Sequence, residues 1–252
     1  MDLLTLLGAL IGILCICLAF VLDGSHISSL LNFPALLVVL GGTISAILVQ
    51  TPKMILLRAT HIAKWALYPP DLDFEPVIHQ VVFWSKKTRQ KGLLAIEDNI
   101  EKIRDPYMLH GAQLMISGIK RDALQEIMEY EIDSVESRDL SAAKVFESMG
   151  GYSPTLGILG AVIGLIHVMN NLTDPSHLGS GIAVAFIATI YGVAFANLLF
   201  IPLANRIKIY VFRRTRLYEM YLMGLLALLN GDSPKSIEMK MRSYYVKSSL
   251  HD

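Results

Sequence analysis

Charge is scarce in this chain of 252 residues. Only 17% are Asp, Glu, Lys or Arg, against 53% hydrophobic, and the mean hydropathy is +0.49, which excludes an ordinary soluble domain. In four stretches, 3–22, 33–50, 155–172 and 181–204, charge is missing altogether. Each approaches or reaches the roughly 20 apolar residues that cross a bilayer core of about 30 Å. The sequence therefore predicts four transmembrane helices. No Lys or Arg precedes the first and no A-x-A-like site follows it, so it is expected to remain as a span and not to be cleaved as a signal peptide.

The empty spans also exclude a chemistry. Intramembrane Asp, Glu, Lys or Arg marks an ion pathway because such a charge is costly and persists only for function. With none here, an ion that crosses needs a carboxylate from another chain. A self-contained transporter would carry its own midplane polar site, and an enzyme its own nucleophile or metal ligands; neither is present, so no enzymatic activity and no cofactor are expected. The only two cysteines, Cys15 and Cys17, lie two apart in the first span, point to different sides of a helix and read as small apolar residues.

What charge there is orients the chain. Of the 22 Lys and Arg, thirteen lie between Lys53 and Lys144 and nine between Arg206 and Lys247. The connections 23–32 and 173–180 have none. Positive residues stay on the cytoplasmic side, so both connections face outward and both termini inward. Asp23 and Asp174, in these connections, read as turn residues. The expected layout is spans one and two in 1–52, a cytoplasmic helical domain in 53–150, spans three and four in 151–205 and a C-terminal cytoplasmic helical segment in 206–252. The cytoplasmic insertion holds fifteen acids against thirteen bases, which excludes a broad nucleic-acid surface.

That insertion reads as helical, giving an all-α integral membrane protein. After PPDLDF, a helix is predicted over 75–91, ending near Gly92, then one over 93–103 and one over 107–117 with Gly118 at its end. From Lys120, Leu124, Ile127, Met128, Ile132 and Val135 make one apolar stripe of a long helix leading to span three. Residues 206–229 continue span four as a basic, then apolar helix closed by NGDSP.

Within the spans, Gly157, Gly160, Ala161 and Gly164 on the third, and Gly181, Ala185, Thr189, Tyr191, Gly192 and Asn197 on the fourth, are small or polar. Two readings stand: close packing of helices within one subunit, or a pore wall facing a partner helix. Pro154 suits the first turn of span three, and Pro202 marks the end of span four, where it would kink the helix. His167, near the outer end of span three, reads as a packed or hydrated residue, with a proton relay as the alternative.

Three motifs now combine: R-x-x-G-L-L-x-I-E at 89–97, GGYSPTLGILGAVIGLIHVM at 150–169 and GIAVAFIATIYGVAFANLLFIPLAN at 181–205. With four spans and a large loop between the second and third, the chain resembles the MotA family, the larger subunits of the bacterial flagellar stator. The resemblance covers essentially the whole chain. ExbB and TolQ, energisers of envelope transport, share the last two spans but lack the opening motif and have three spans, and so come second.

The resemblance implies a homo-oligomer, a pentameric ring, enclosing a MotB-type partner whose single membrane helix supplies the ion-binding aspartate, in the bacterial inner membrane. The ring would push on the rotor protein FliG through Arg89 and Glu97. On an unbroken helix these two lie about 80° apart; Gly92 is the residue that would break it, and the alternative is a solvated surface with Asp98 and Lys102 paired. Pro154 and Pro202 match the prolines linked to conformational change, and Ala161, Thr189 and Tyr191 line the ion path. Sodium-driven relatives such as PomA have threonine where this chain has Ala161. A dehydrated Na+ wants several oxygens, so the expected ion is H+, with Na+ the alternative.

Overall fold

The structure, a computed structural model, describes residues 3–24, 30–101, 103–170 and 175–248. These form helices α1 Leu3–Leu22, α2 Phe33–Leu36, α3 Gly42–Gln50, α4 Lys53–Ile62, α5 Phe74–Lys91, α6 Glu97–Ile100, α7 Pro106–Ile116, α8 Arg121–Asn170, α9 Pro175–Ala194, α10 Ile201–Leu229 and α11 Pro234–Ser248. No strand occurs among the described residues. Two π-helical turns, Leu37–Gly41 and Phe195–Phe200, join α2 to α3 and α9 to α10. Three helical stretches are long and apolar enough to cross a membrane: Phe33–Gln50, part of Arg121–Asn170 and part of Gly181–Leu229. The first expected span is helical over its whole length, and its described apolar part runs Leu10–Leu22. The chain divides into two units, one of residues 1–69 and 139–208, the other of 70–138 and 209–252.

In the first unit, Asn32 caps α2: its Oδ1 accepts from Ala35 N–H at 3.0 Å while Pro34 occupies the first turn, where a missing N–H costs nothing. Ala35, Val39, Ile187 and Ala188 bury one another. In the same unit, Arg58 on α4 grips Asp139 on α8 with two hydrogen bonds, Nε to Oδ1 at 2.7 Å and Nη2 to Oδ2 at 2.9 Å. The Arg58 guanidinium also lies 5.6 Å from the centre of the Trp65 ring, a cation–π distance.

In the second unit, α5 starts on an Asp73 cap and stops at Gly92, whose φ of 80° few other residues adopt. α5, α7, the first turns of α8, α10 and α11 enclose a core with Trp84, Met128, Tyr221 and Leu225 fully buried. Trp84 meets Tyr221 edge-on, with ring centres 6.4 Å apart, and Tyr107 stacks on Tyr218 at 4.2 Å. Burying one such large apolar side chain stabilises by about 2 kcal/mol. α11 closes the core with Ile237 and Met241, and Arg242 ties it to Glu75 at 2.6 and 3.2 Å.

Two expectations change and a third is refined. The helix predicted over 93–103 shrinks to a 3-10 turn Leu93–Ile96 and the single α turn Glu97–Ile100, because Gly92 redirects the chain and Asp105 and Pro106 start the next helix. Pro154 stands well inside α8, which runs unbroken for 50 residues, and not in a first turn; the amphipathic helix and the third span are one element. The expected helical segment 206–252 divides into the end of α10, which stops at Leu229, and a separate helix, α11. Asp174 and Lys102 lie outside the described residues.

Candidate functional site

The spans hold their polar residues on a tightly packed helix pair. A Cβ added to Gly192 of α9 would come within 2.5 Å of the Ser153 carbonyl oxygen and 3.1 Å of Gly157 Cα on α8. One added to Gly157 would meet the Ala188 carbonyl oxygen at 2.9 Å, and one on Gly164 the Ala185 backbone at 3.1 Å. Gly160 faces Ala188 and Val38. The glycine stripe therefore serves close helix contact within one subunit.

The predicted path residues sit around this contact. Thr189 is partly buried, its Cα 3.3 Å from the Cβ position of Gly157, and its hydroxyl reaches back to Ala185 O at 3.5 Å. That bond is long, so the hydroxyl is held only weakly by its own helix. Ala161 is partly exposed on α8 and carries no hydroxyl. Tyr191 behaves differently. Its hydroxyl donates to Leu30 O and accepts from Asn32 N–H at 3.1 Å, so it fastens the start of α2 to α9. His167 lies on the exposed face near the end of α8.

Each proline has a local device beside it. Pro154 has no N–H to give to the Gly150 carbonyl, four residues back. Next to it Ser153, fully buried, shares a 3.2 Å hydrogen bond with Thr43, whose hydroxyl also lies 2.6 Å from Val39 O. Pro202 follows the π turn Phe195–Phe200, in which Ile201 N–H reaches back five residues to Ala196 O. This wider turn relieves the clash that a proline ring makes with the carbonyl four residues before it. Thr189 and Asn197 line one open, mostly apolar groove of about 780 Å³ between α1 and the α9 end of the π turn.

In the second unit, Gly92 puts Arg89 and Glu97 on different helices, so the 80° relation does not apply. Both are exposed. Arg89 Nη2 donates to Gly231 O at 2.9 Å, placing its guanidinium at the turn between α10 and α11. Lys87 Nζ reaches Asn99 Oδ1 at 2.8 Å and so links the end of α5 to α6, which carries Glu97. Sequence reasoning missed the Arg58–Asp139 pair, the Thr43–Ser153 pair and both π turns.

The MotA/TolQ/ExbB proton channel family matches residues 99–220. Motility protein A of Bacillus subtilis (strain 168) is 32% identical over 246 residues, 97% of this chain and 91% of that protein. The chain belongs to the MotA family. A second member, the chemotaxis protein PomA of Vibrio alginolyticus, is 29% identical over 244 residues, covering 97% of this chain and 95% of that one. Among solved structures, the flagellar MotAB stator complex from Bacillus subtilis superposes with a TM-score of 0.87 at 32% identity, covering 98% of this chain and 97% of its own. C. jejuni MotAB gives 0.91 at 24% identity over 97% and 96% and speaks for the fold alone. MotA membership makes this a membrane protein of a proton-channel family, not of an enzyme family.

Proposed function

We propose that the chain is a flagellar stator subunit which, with a MotB-type partner, couples inward proton flow to torque on FliG. The observation that carries this is the pairing of full-length MotA similarity with spans that hold no Asp, Glu, Lys or Arg: a proton path with no ionisable carboxylate of its own must borrow one. Several chains form a ring, expected to be pentameric, around the partner's single helices in the bacterial inner membrane. The chain crosses four times, with both termini and the 53–150 domain in the cytoplasm.

Arg89 and Glu97, exposed at the end of α5 and the start of α6, are the charges offered to FliG; at an exposed rim such charges set encounter and register more than affinity. Pro154 and Pro202 flank the polar helix pair and give it the places to bend. Ala161 and Thr189 line the path, and Tyr191 shapes its outer end by holding the start of α2. With alanine at 161 the site offers one protein hydroxyl, which suits a proton better than a dehydrated Na+. The match over 97% of the chain, including the first two spans, favours this reading over an ExbB or TolQ-like energiser. Co-expression with the partner, affinity purification and imaging of the assembly tests it: a ring around partner helices is expected, and a stable lone monomer that carries ions overturns it.

A further inference from the structure

Asn197 occupies an unusual place. It lies inside the π turn Phe195–Phe200, in a span that carries no charge, and its side chain is exposed. Its Nδ2 donates to Val193 O at 3.0 Å, which uses one of the carboxamide's two N–H groups. The Oδ1, with two lone pairs, points away from that bond. A carboxamide oxygen facing hydrocarbon is disfavoured because lipid offers no donor.

Asn197 is not isolated from the path residues. It shares the groove beside α1 with Thr189; Ile16, Ala19 and Phe20 supply an apolar opposite wall, with Asp23, just past the end of α1, also in the lining. Eight residues separate the two, about 12 Å of helix. In an unbroken α-helix they would differ by about 80° in direction. The π turn holds more residues per turn, so each rotates the chain by less, and Asn197 comes round nearer to line with Thr189. π turns inside α-helices occur frequently at functional sites, and this one places an amide side chain in a groove whose other polar side chains are Thr189 and Asp23.

We propose that Asn197 is a further residue of the proton path, one that holds a water molecule on the α10 side of Thr189. This rests on the stator reading. The partner's carboxylic acid gives its proton to that water, leaving a carboxylate and a hydronium ion; the hydronium passes the proton onward and reverts to water. Asn197 Oδ1 accepts a hydrogen bond from the water or hydronium and is never itself protonated. The residue positions the carrier and does not exchange the proton. The N–H bond to Val193 O fixes the amide so that the oxygen, not the NH2 group, faces the groove.

The test uses the complete complex with its partner, purified and reconstituted into lipid vesicles, with proton entry driven by a potassium diffusion potential and read by an internal pH dye in H2O and in D2O. Asn197→Leu, similar in size but without the amide, is expected to copurify with the partner and to lower flux at least tenfold. Asn197→Ser, which keeps one small oxygen, is expected to recover part of that flux and to show a larger H2O-to-D2O ratio than the original chain, because transfer through a poorly held water becomes limiting. If Asn197→Leu does not copurify, the Asn197→Ser comparison decides alone. Unchanged flux in the variants, or reduced flux with an unchanged isotope ratio, overturns the assignment. Absence of flux from the unsubstituted complex is a different result and counts against the stator reading itself.

Discussion

Asp139, with no exposed surface, receives both donors of the Arg58 guanidinium side-on, at 2.7 and 2.9 Å. The pair fastens α4 to α8 across 81 positions of sequence. Removing Arg58 takes both of these donors from a buried carboxylate, and breaking a buried ion pair from one side typically costs about 3 to 5 kcal/mol, whereas replacing both partners by apolar residues is often close to neutral. Arg58→Ala is expected to lower the unfolding temperature of the detergent-purified chain by several degrees, and Arg58→Met with Asp139→Leu to recover most of the loss. A double variant as unstable as the single one would show that the charges themselves are needed.

A second prediction separates two glycines of similar appearance. At Gly192 an added methyl meets backbone of α8 at 2.5 Å, which cannot swing aside, while at Gly8 it meets nothing within 4 Å. Gly192→Ala is expected to destabilise by about 1 to 3 kcal/mol, seen as reduced accumulation in the membrane and a lower unfolding temperature. Gly8→Ala is expected to leave both unchanged.

Two buried tyrosines of the second unit divide in the same way. Tyr221 donates to Met108 O at 2.7 Å, whereas the Tyr107 hydroxyl is buried with no hydrogen-bond partner. Tyr221→Phe is expected to cost about 1 kcal/mol, and Tyr107→Phe to be neutral or stabilising, since it deletes an unpaired polar group. Denaturant titration of the purified chain measures both.

The same pair sets an alkaline limit. Burial is the main cause that holds both hydroxyls above the usual tyrosine range, and after it come the negative charges of Glu131 near Tyr107 and Asp105 near Tyr221. A raised folded pKa means that the contribution is fully present below the unfolded value of about 10 and declines as pH climbs past it, by about 1.4 kcal/mol per pH unit for each tyrosine. Stability of the second unit, followed by tyrosine fluorescence, should therefore fall steeply above pH 10, and less steeply with Tyr107→Phe.

The rotor contact predicts a functional loss without a folding loss. Arg89→Glu or Glu97→Lys should impair swimming while membrane insertion and partner binding stay normal, and compensating reversals on FliG should restore some motility. Arg89 also bonds Gly231 O, so Arg89→Ala serves as the control for that contact. Loss of the protein from the membrane in either reversal would assign these residues to structure.

Much of this architecture is legible in the sequence because hydrocarbon thickness and helix rise leave little choice for runs such as 33–50 and 181–204. Gly92 and Gly118 announce their turns. α11 was also readable: Ser233 accepts from Ser236 N–H at 3.2 Å, Pro234 opens the helix, and Ile237 and Met241 recur at four. The π turns were not, since nothing in LVVLG or FANLLF departs from an α-helical pattern and only the neighbouring proline hints at one. Nor could Gly157, Gly160 and Gly164 reveal their partner: a small residue permits close approach by any helix, and which helix comes is decided by the tertiary fold. The Arg58–Asp139 pair has no local signature at all.

The most direct test of the central claim, that this chain conducts protons only with a borrowed carboxylate, is proton flux into sodium-free vesicles. Three preparations are compared: the chain alone, the chain with its MotB-type partner, and the complex whose partner aspartate is changed to asparagine. Flux from the intact complex alone, abolished by the asparagine, is the predicted result. Flux through the chain by itself, or a complex that carries ions only when Na+ is supplied, would contradict it.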